Sequence, residues 1–302
     1  MLVSFADEVQ LSWDLVADLQ QLFAYHFMQN AFLAGTLVAL AAGAVGYFMV
    51  LRSQSFAGHT LAQAGFPGAL GAALLGYSPV LGLIGFGVGA ALLIGVLSAR
   101  ESKGQDSAIG IVLAFSLGLG LLFIRLSHAN NTTGLYSLLF GSVLGVSDGD
   151  LGPIALTTLV TLVTLAVVAR PLLFASLDPE VAAAKGVPVR LLALLFLVLL
   201  AFAVAEAVKI VGVLLIFALL VTPAAIAQEL TARPALSVGV SVLLALVFTW
   251  SGLAIGYFTP YPVGFFITSF AFGTYVLVRL TRAAYTRSAR RKSAVREGAL
   301  VL

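Results

Sequence analysis

The chain has 302 residues, of which 61% are hydrophobic and 10% charged, and its mean hydropathy is +1.08. Soluble domains carry about 25% charged residues, so the composition is that of a polytopic membrane protein and excludes a large domain outside the bilayer. The net charge is a modest +3, and the absence of cysteine excludes disulfides, thiolate metal sites and cysteine nucleophiles.

Residues 1–27 carry Asp7, Glu8, Asp14 and Asp18, with Leu11, Leu15, Val16, Leu19, Leu22 and Phe23 at helical spacing. The pattern predicts an interfacial amphipathic helix, and the lack of a basic leader predicts that it is not cleaved. Spanning candidates follow at residues 28–51, 58–76, 79–98, 107–126, 152–169, 189–205, 208–227, 235–256 and 263–280. The expected fold is an all-α bundle of about eight or nine transmembrane helices. A further apolar piece, 135–146, follows the polar HANNTTG of His128 to Gly134 and is short enough to be a half-membrane or re-entrant helix. Glycines such as Gly82, Gly85, Gly87 and Gly89 let helices approach closely.

One polar interruption, LDPEVAAAKGVP at 177–188, carries its own start and stop signals. Asp178 caps a helix, Pro179 suits its first position, and Glu180 sits at the positive end of the dipole. Lys185 complements the negative end, Gly186 takes the left-handed closing conformation, and Pro188 forbids continuation. At roughly 1.5 Å per residue the helix is about 12 Å long, too short to cross a bilayer. It lies at the surface, as a docking point for another protein or as a plain connecting loop. Arg170, Lys185 and Arg190 beside it predict a cytoplasmic location. Strict alternation then places Arg52, Arg100, Lys103 and Arg233 inside, and His128 to Gly134, Asp148, Asp150 and the N-terminus outside. The tail at 283–302 continues a basic run that starts at Arg279 and Arg282 and includes Arg287, Arg290, Arg291, Lys292 and Arg296. It reads as a cytoplasmic C-terminus touching anionic lipid headgroups of the plasma membrane, not as a nucleic-acid site.

Polar side chains inside the apolar runs are few. His59 and Gln63, four residues apart, share a helix face and offer one imidazole nitrogen and one amide oxygen. Such a pair holds a divalent metal weakly, better if a symmetry mate supplies the same two donors, or it forms ordinary packing hydrogen bonds. Glu206 and Lys209 can neutralise each other at a spacing of three, marking a hairpin turn or lining a path. Pro223 breaks a helix in mid-run, as a kink or as part of a pathway. No nucleotide-binding loop, hydrolase elbow or zincin motif occurs, so no catalytic centre or energy source is visible in the sequence. Uphill transport would need a gradient or a separate motor.

Five stretches taken in order resemble one family, the membrane permeases of zinc- and manganese-type ABC importers. They are GAVGYFMVLRSQSFAGHTLAQAGFPGALGAALLG (Gly43 to Gly76), DSAIGIVLAFSLGLGLLFI (Asp106 to Ile124), YSLLFGSVLGVSDGDL (Tyr136 to Leu151), DPEVAAAKGVPVRLL (Asp178 to Leu192) and VGVLLIFALLVTPAAIA (Val211 to Ala227). The resemblance implies a type II ABC importer permease over residues 28–282, working as a homodimer. It implies a coupling helix at 178–187, with Asp178, Pro179, Glu180, Ala184, Lys185 and Gly186 meeting a cytoplasmic ATPase that hydrolyses the ATP. It also implies an extracytoplasmic binding protein that delivers the metal, with no cofactor held permanently. The family usually places Asp and then His where this chain has His59 and Gln63. The lost carboxylate leaves a less anionic site, whose nitrogen donor suits zinc better than manganese. The same departure keeps a metal-chelate cargo, or a motor-independent secondary transporter, as alternatives.

Overall fold

The computed structural model describes residues 15–98, 105–126, 139, 141, 145–213 and 216–299. Among them are eleven α-helices and no strand. They are α1 (Leu15–Ala24), α2 (His26–Leu51), α3 (Ser55–Leu74), α4 (Pro79–Ser98), α5 (Gln105–Leu126), α6 (Asp148–Leu177), α7 (Pro179–Ala184), α8 (Val189–Val211), α9 (Ile216–Leu230), α10 (Pro234–Phe258) and α11 (Val263–Ala299). The fold is therefore all-α, as the composition predicts. The polar stretch from His128 to Gly134 lies outside the described residues, as does most of the expected half-membrane piece at 135–146.

Among the described residues seven helices, α2, α4, α5, α6, α8, α10 and α11, are long and apolar enough to cross a membrane. Helices α3 and α9 bring the candidates to the nine expected, and each differs from the seven for a physical reason. Helix α3 is less apolar because it carries His59, Gln63 and several glycines, but protein rather than lipid covers most of it. Helix α9 has 15 residues and rises only about 22 Å.

Helix α2 is the hub, with 72% of its apolar window buried, against 22% for α6 and α11. Small residues make this possible, since Ala31, Ala34, Ala39, Ala41 and Ala42 are fully covered. Helices α9 and α10 pack on one side of α2, while α6 and α8 pack on the other. Helices α3, α4 and α5 form a second cluster that leans on α8, and α11 closes the first cluster over α9 and α10. At the α2–α10 seam Ser241 Oγ donates to Gly43 O at 2.7 Å. A side chain on Gly46 would meet the carbonyl of Leu220, so α2 and α9 touch backbone to backbone there. Gly68 and Gly82 do the same for α3 and α4. Gly82 alone of the glycine run makes such an approach, for Gly85 and Gly89 face open space and Gly87 lies loosely beside Ala201. Large apolar side chains of α4, α5 and α6, among them Val96, Ile111, Leu121, Leu156 and Val167, point outward where lipid would cover them.

Two boundaries differ from expectation. Helix α8 runs on through Glu206 to Val211, so Glu206 and Lys209 lie in its last two turns and do not mark a hairpin. The chain turns at Gly212, whose φ of +86° suits glycine, and the apolar Ala205, Ala207 and Val208 let the helix continue past the polar pair. Pro223, in turn, sits within an unbroken α9. It removes one hydrogen bond, but its ring is buried among helices that hold the segment, and the helical run is interrupted at Gly212 and Val213 instead.

Candidate transport path and motor-docking helix

Helix α7 stands at the end of the bundle where α2, α4 and α6 finish and α3 begins. Asp178 Oδ1 accepts from Val181 N at 3.0 Å, and Pro179 opens the helix at a position where no N–H is needed. The far end closes with Gly186 at φ +83°, where Gly186 N donates to Ala183 O and Val187 N to Ala182 O, each at 3.0 Å. The two bonds form the paired closure of a glycine-terminated helix. The element is thus capped at both ends without help from its surroundings. Ala182 is fully buried and anchors it to the bundle, while Glu180, Val181, Ala183, Ala184 and Lys185 are exposed. Lys185 Nζ lies 5.5 Å from the centre of the Phe174 ring on α6. A shallow apolar cleft beside α7 is lined by Pro179, Ala183, Pro188 and Leu191, with Glu180 and Arg190 at its edge. A rigid, exposed helix beside an apolar cleft is suited to bearing against another protein.

His59 and Gln63 stand one turn apart on α3, both half-buried, on a face that also carries the exposed Phe56. The His59 ring packs edge-on against Phe217, 5.6 Å between centres and 82° between planes. Phe217 is the second residue of α9 and is itself exposed, so α3 and α9 share an open face. Among the described residues no three His, Cys, Asp or Glu side chains group together in a way that could hold a metal ion.

Glu206 does not join that pair. It faces α6, where Thr158 Oγ1 donates to Glu206 Oε2 at 2.8 Å, and it is 6% exposed. The contact gives the buried carboxyl a hydrogen-bond partner on another helix, which the spacing to Lys209 did not suggest. Pro223 is buried on α9, two turns beyond Phe217.

Three contacts, at two ends of the bundle, were not legible from the sequence. At the end opposite α7, Asn30 Nδ2 donates to Asp148 Oδ1 at 2.6 Å, and His26 Nε2 lies 2.9 Å from the same oxygen, joining the starts of α2 and α6. At the α7 end, Arg52 Nη1 donates to Ser176 Oγ at 3.0 Å. Each pair is more than a hundred residues apart, so no local spacing signals it.

Similarity to known proteins covers the same elements. The manganese import system permease protein ScaB of Streptococcus parasanguinis is 34% identical over 255 residues, which are 83% of this chain and 88% of that protein. The manganese transport system membrane protein MntC of Listeria innocua is 32% identical over 243 residues, 80% of this chain and 85% of its own. Among solved structures, the PsaBC complex of Streptococcus pneumoniae bound to a Fab superimposes with a TM-score of 0.78 at 32% identity, covering 87% of this chain and 94% of that one. The model of the ABC 3 transport family matches residues 24–282, from the end of α1 into α11. On fold, sequence and extent alike, the chain belongs to the ABC 3 transport family.

Proposed function

We propose that this chain is the membrane permease of an ATP-driven importer and that its cargo is a divalent metal ion, with manganese ahead of zinc. The observation that carries this reading is the self-capped α7, presented on an otherwise apolar bundle whose relatives are named manganese permeases. The nitrogen donor of His59 argued for zinc, but similarity across four-fifths of the chain to proteins named for manganese outweighs a single imidazole. The same similarity disfavours a metal chelate as cargo.

In this reading the α7 end faces the cytoplasm, and α7 inserts into an ATPase subunit. The face of α3 and α9 bearing His59, Gln63 and Phe217 meets its symmetry mate in a homodimer. Two chains then supply two imidazole nitrogens and two amide oxygens around one axis. Neutral donors bind a divalent ion weakly, which suits passage, while an extracytoplasmic binding protein supplies selectivity. Closure of the motor would move α7 and swing the attached helices as rigid bodies between two arrangements. Each elongated helix is stiff enough to carry that motion to the axis. The basic continuation of α11 rests against anionic headgroups on the same side.

The test is manganese uptake into liposomes holding the permease, its motor and its binding protein. His59→Ala should abolish uptake while the complex still assembles. Uptake at the wild-type rate in that variant removes His59 and Gln63 from the path.

A further inference from the structure

We infer that Arg52 is a positioning residue that ties the motion of α7 to α3, and so to His59 and Gln63; the inference rests on the transport reading above. The turn between α2 and α3 is built as a rigid elbow. Ser53 N donates to Val50 O at 3.0 Å and Gln54 N to Met49 O at 2.9 Å, closing α2 with a left-handed residue. That residue is Ser53 at φ +56°, a conformation usually left to glycine. Gln54, 5% exposed, then starts α3 through its carbonyl, which accepts from Gly58 N at 3.1 Å. Three residues thus join two helices without slack, and His59 follows on the second turn of α3.

The side chain of Arg52 projects from this elbow to the foot of α6. Its Nη1 donates to Ser176 Oγ, and Ser176 Oγ donates in turn to Leu172 O at 2.5 Å, so the hydroxyl is oriented to receive the guanidinium. Ser176 stands two residues before Asp178, the cap of α7. The guanidinium also lies 5.6 Å from the ring centre of Phe196 on α8, the helix that leaves α7 on its other side. One side chain therefore touches the helix entering α7, the helix leaving it and the elbow that starts α3. No carboxylate pairs with Arg52 among the described residues, so its contacts are a hydroxyl and an aromatic face, both able to re-form as the helices shift. Arg52 Nε and Gln54 Oε1 have no protein partner among the described residues. The elbow keeps hydrogen-bonding capacity that a second arrangement can use.

The experiment compares wild type, Arg52→Ala, Arg52→Lys and Ser176→Ala, each reconstituted with motor and binding protein. Manganese uptake and ATP hydrolysis are measured in the same liposomes, and assembly is measured by co-purification. The expected result is that Arg52→Ala assembles and hydrolyses ATP but moves about tenfold less manganese per ATP. Ser176→Ala should shift that ratio in the same direction by a smaller factor, and Arg52→Lys should recover most of it. An unchanged ratio in both truncations overturns the inference, as does a Lys variant as impaired as the Ala one. If Arg52→Ala fails to assemble, the ratio in Ser176→Ala decides. A wild-type complex without ATP-dependent uptake would instead defeat the transport reading itself.

Discussion

Glu206 shows how a buried polar group is accommodated by a distant partner. A carboxyl at 6% exposure needs hydrogen bonds, and Thr158 provides one at 2.8 Å from a helix 48 residues earlier in the chain. Glu206→Gln keeps an acceptor of the same shape and should leave thermal stability in detergent nearly unchanged. Glu206→Leu should cost about 1–3 kcal/mol, because Thr158 then loses its acceptor in a buried setting. A loss of the same size for both variants would mean that the ionised carboxylate matters rather than the hydrogen bond. The residue was legible as unusual from the sequence, but its partner was not, because local spacing pointed to Lys209. Asp178 is the opposite case. Its capping role could be read directly from the Asp-Pro-Glu order, and Asp178→Ala should weaken α7 by about 1 kcal/mol, seen as faster amide exchange at Val181.

Among the helices, α7 separates two kinds of small residue that look alike in sequence. Ala182 is buried against the bundle and Ala184 is exposed. Ala184→Trp should leave folding intact and block stimulation of the motor, whereas Ala182→Trp should displace the helix and lower the melting temperature as well. Equal effects on folding would show that the exposed face of α7 is a structural contact. Most helices were readable because apolar runs of about 20 residues leave the backbone no other way to satisfy its hydrogen bonds in lipid. The end of α8 was misplaced because a polar pair suggested a turn, while the conformational signal, Gly212, stood one residue past the actual end at Val211. The half-buried face of α3 was legible through His59 and Gln63, but its proximity to Phe217 required the packing of α9.

The whole molecule depends on helices that touch at their backbones. A methyl at Gly46 or Gly68 would meet a carbonyl of the neighbouring helix, so replacement by Leu should separate α2 from α9, or α3 from α4. Both replacements should reduce the yield of folded permease, whereas Gly85→Leu, facing open space, should be tolerated. Expression followed by size-exclusion chromatography in detergent checks the contrast. The Gly46 seam joins the α9–α11 cluster to α2, the Gly68–Gly82 seam holds the α3–α5 cluster together, and α3 and α4 pack in turn on α8. The central claim is that a motor drives this bundle to move a divalent metal ion. Its most direct test is ATP-dependent manganese uptake by the reconstituted permease, motor and binding protein, with the motor omitted in a parallel sample. The account predicts uptake that requires both the motor and ATP and that is lost in His59→Ala. Manganese entry at the same rate without the motor would contradict it and identify a channel or gradient-driven carrier.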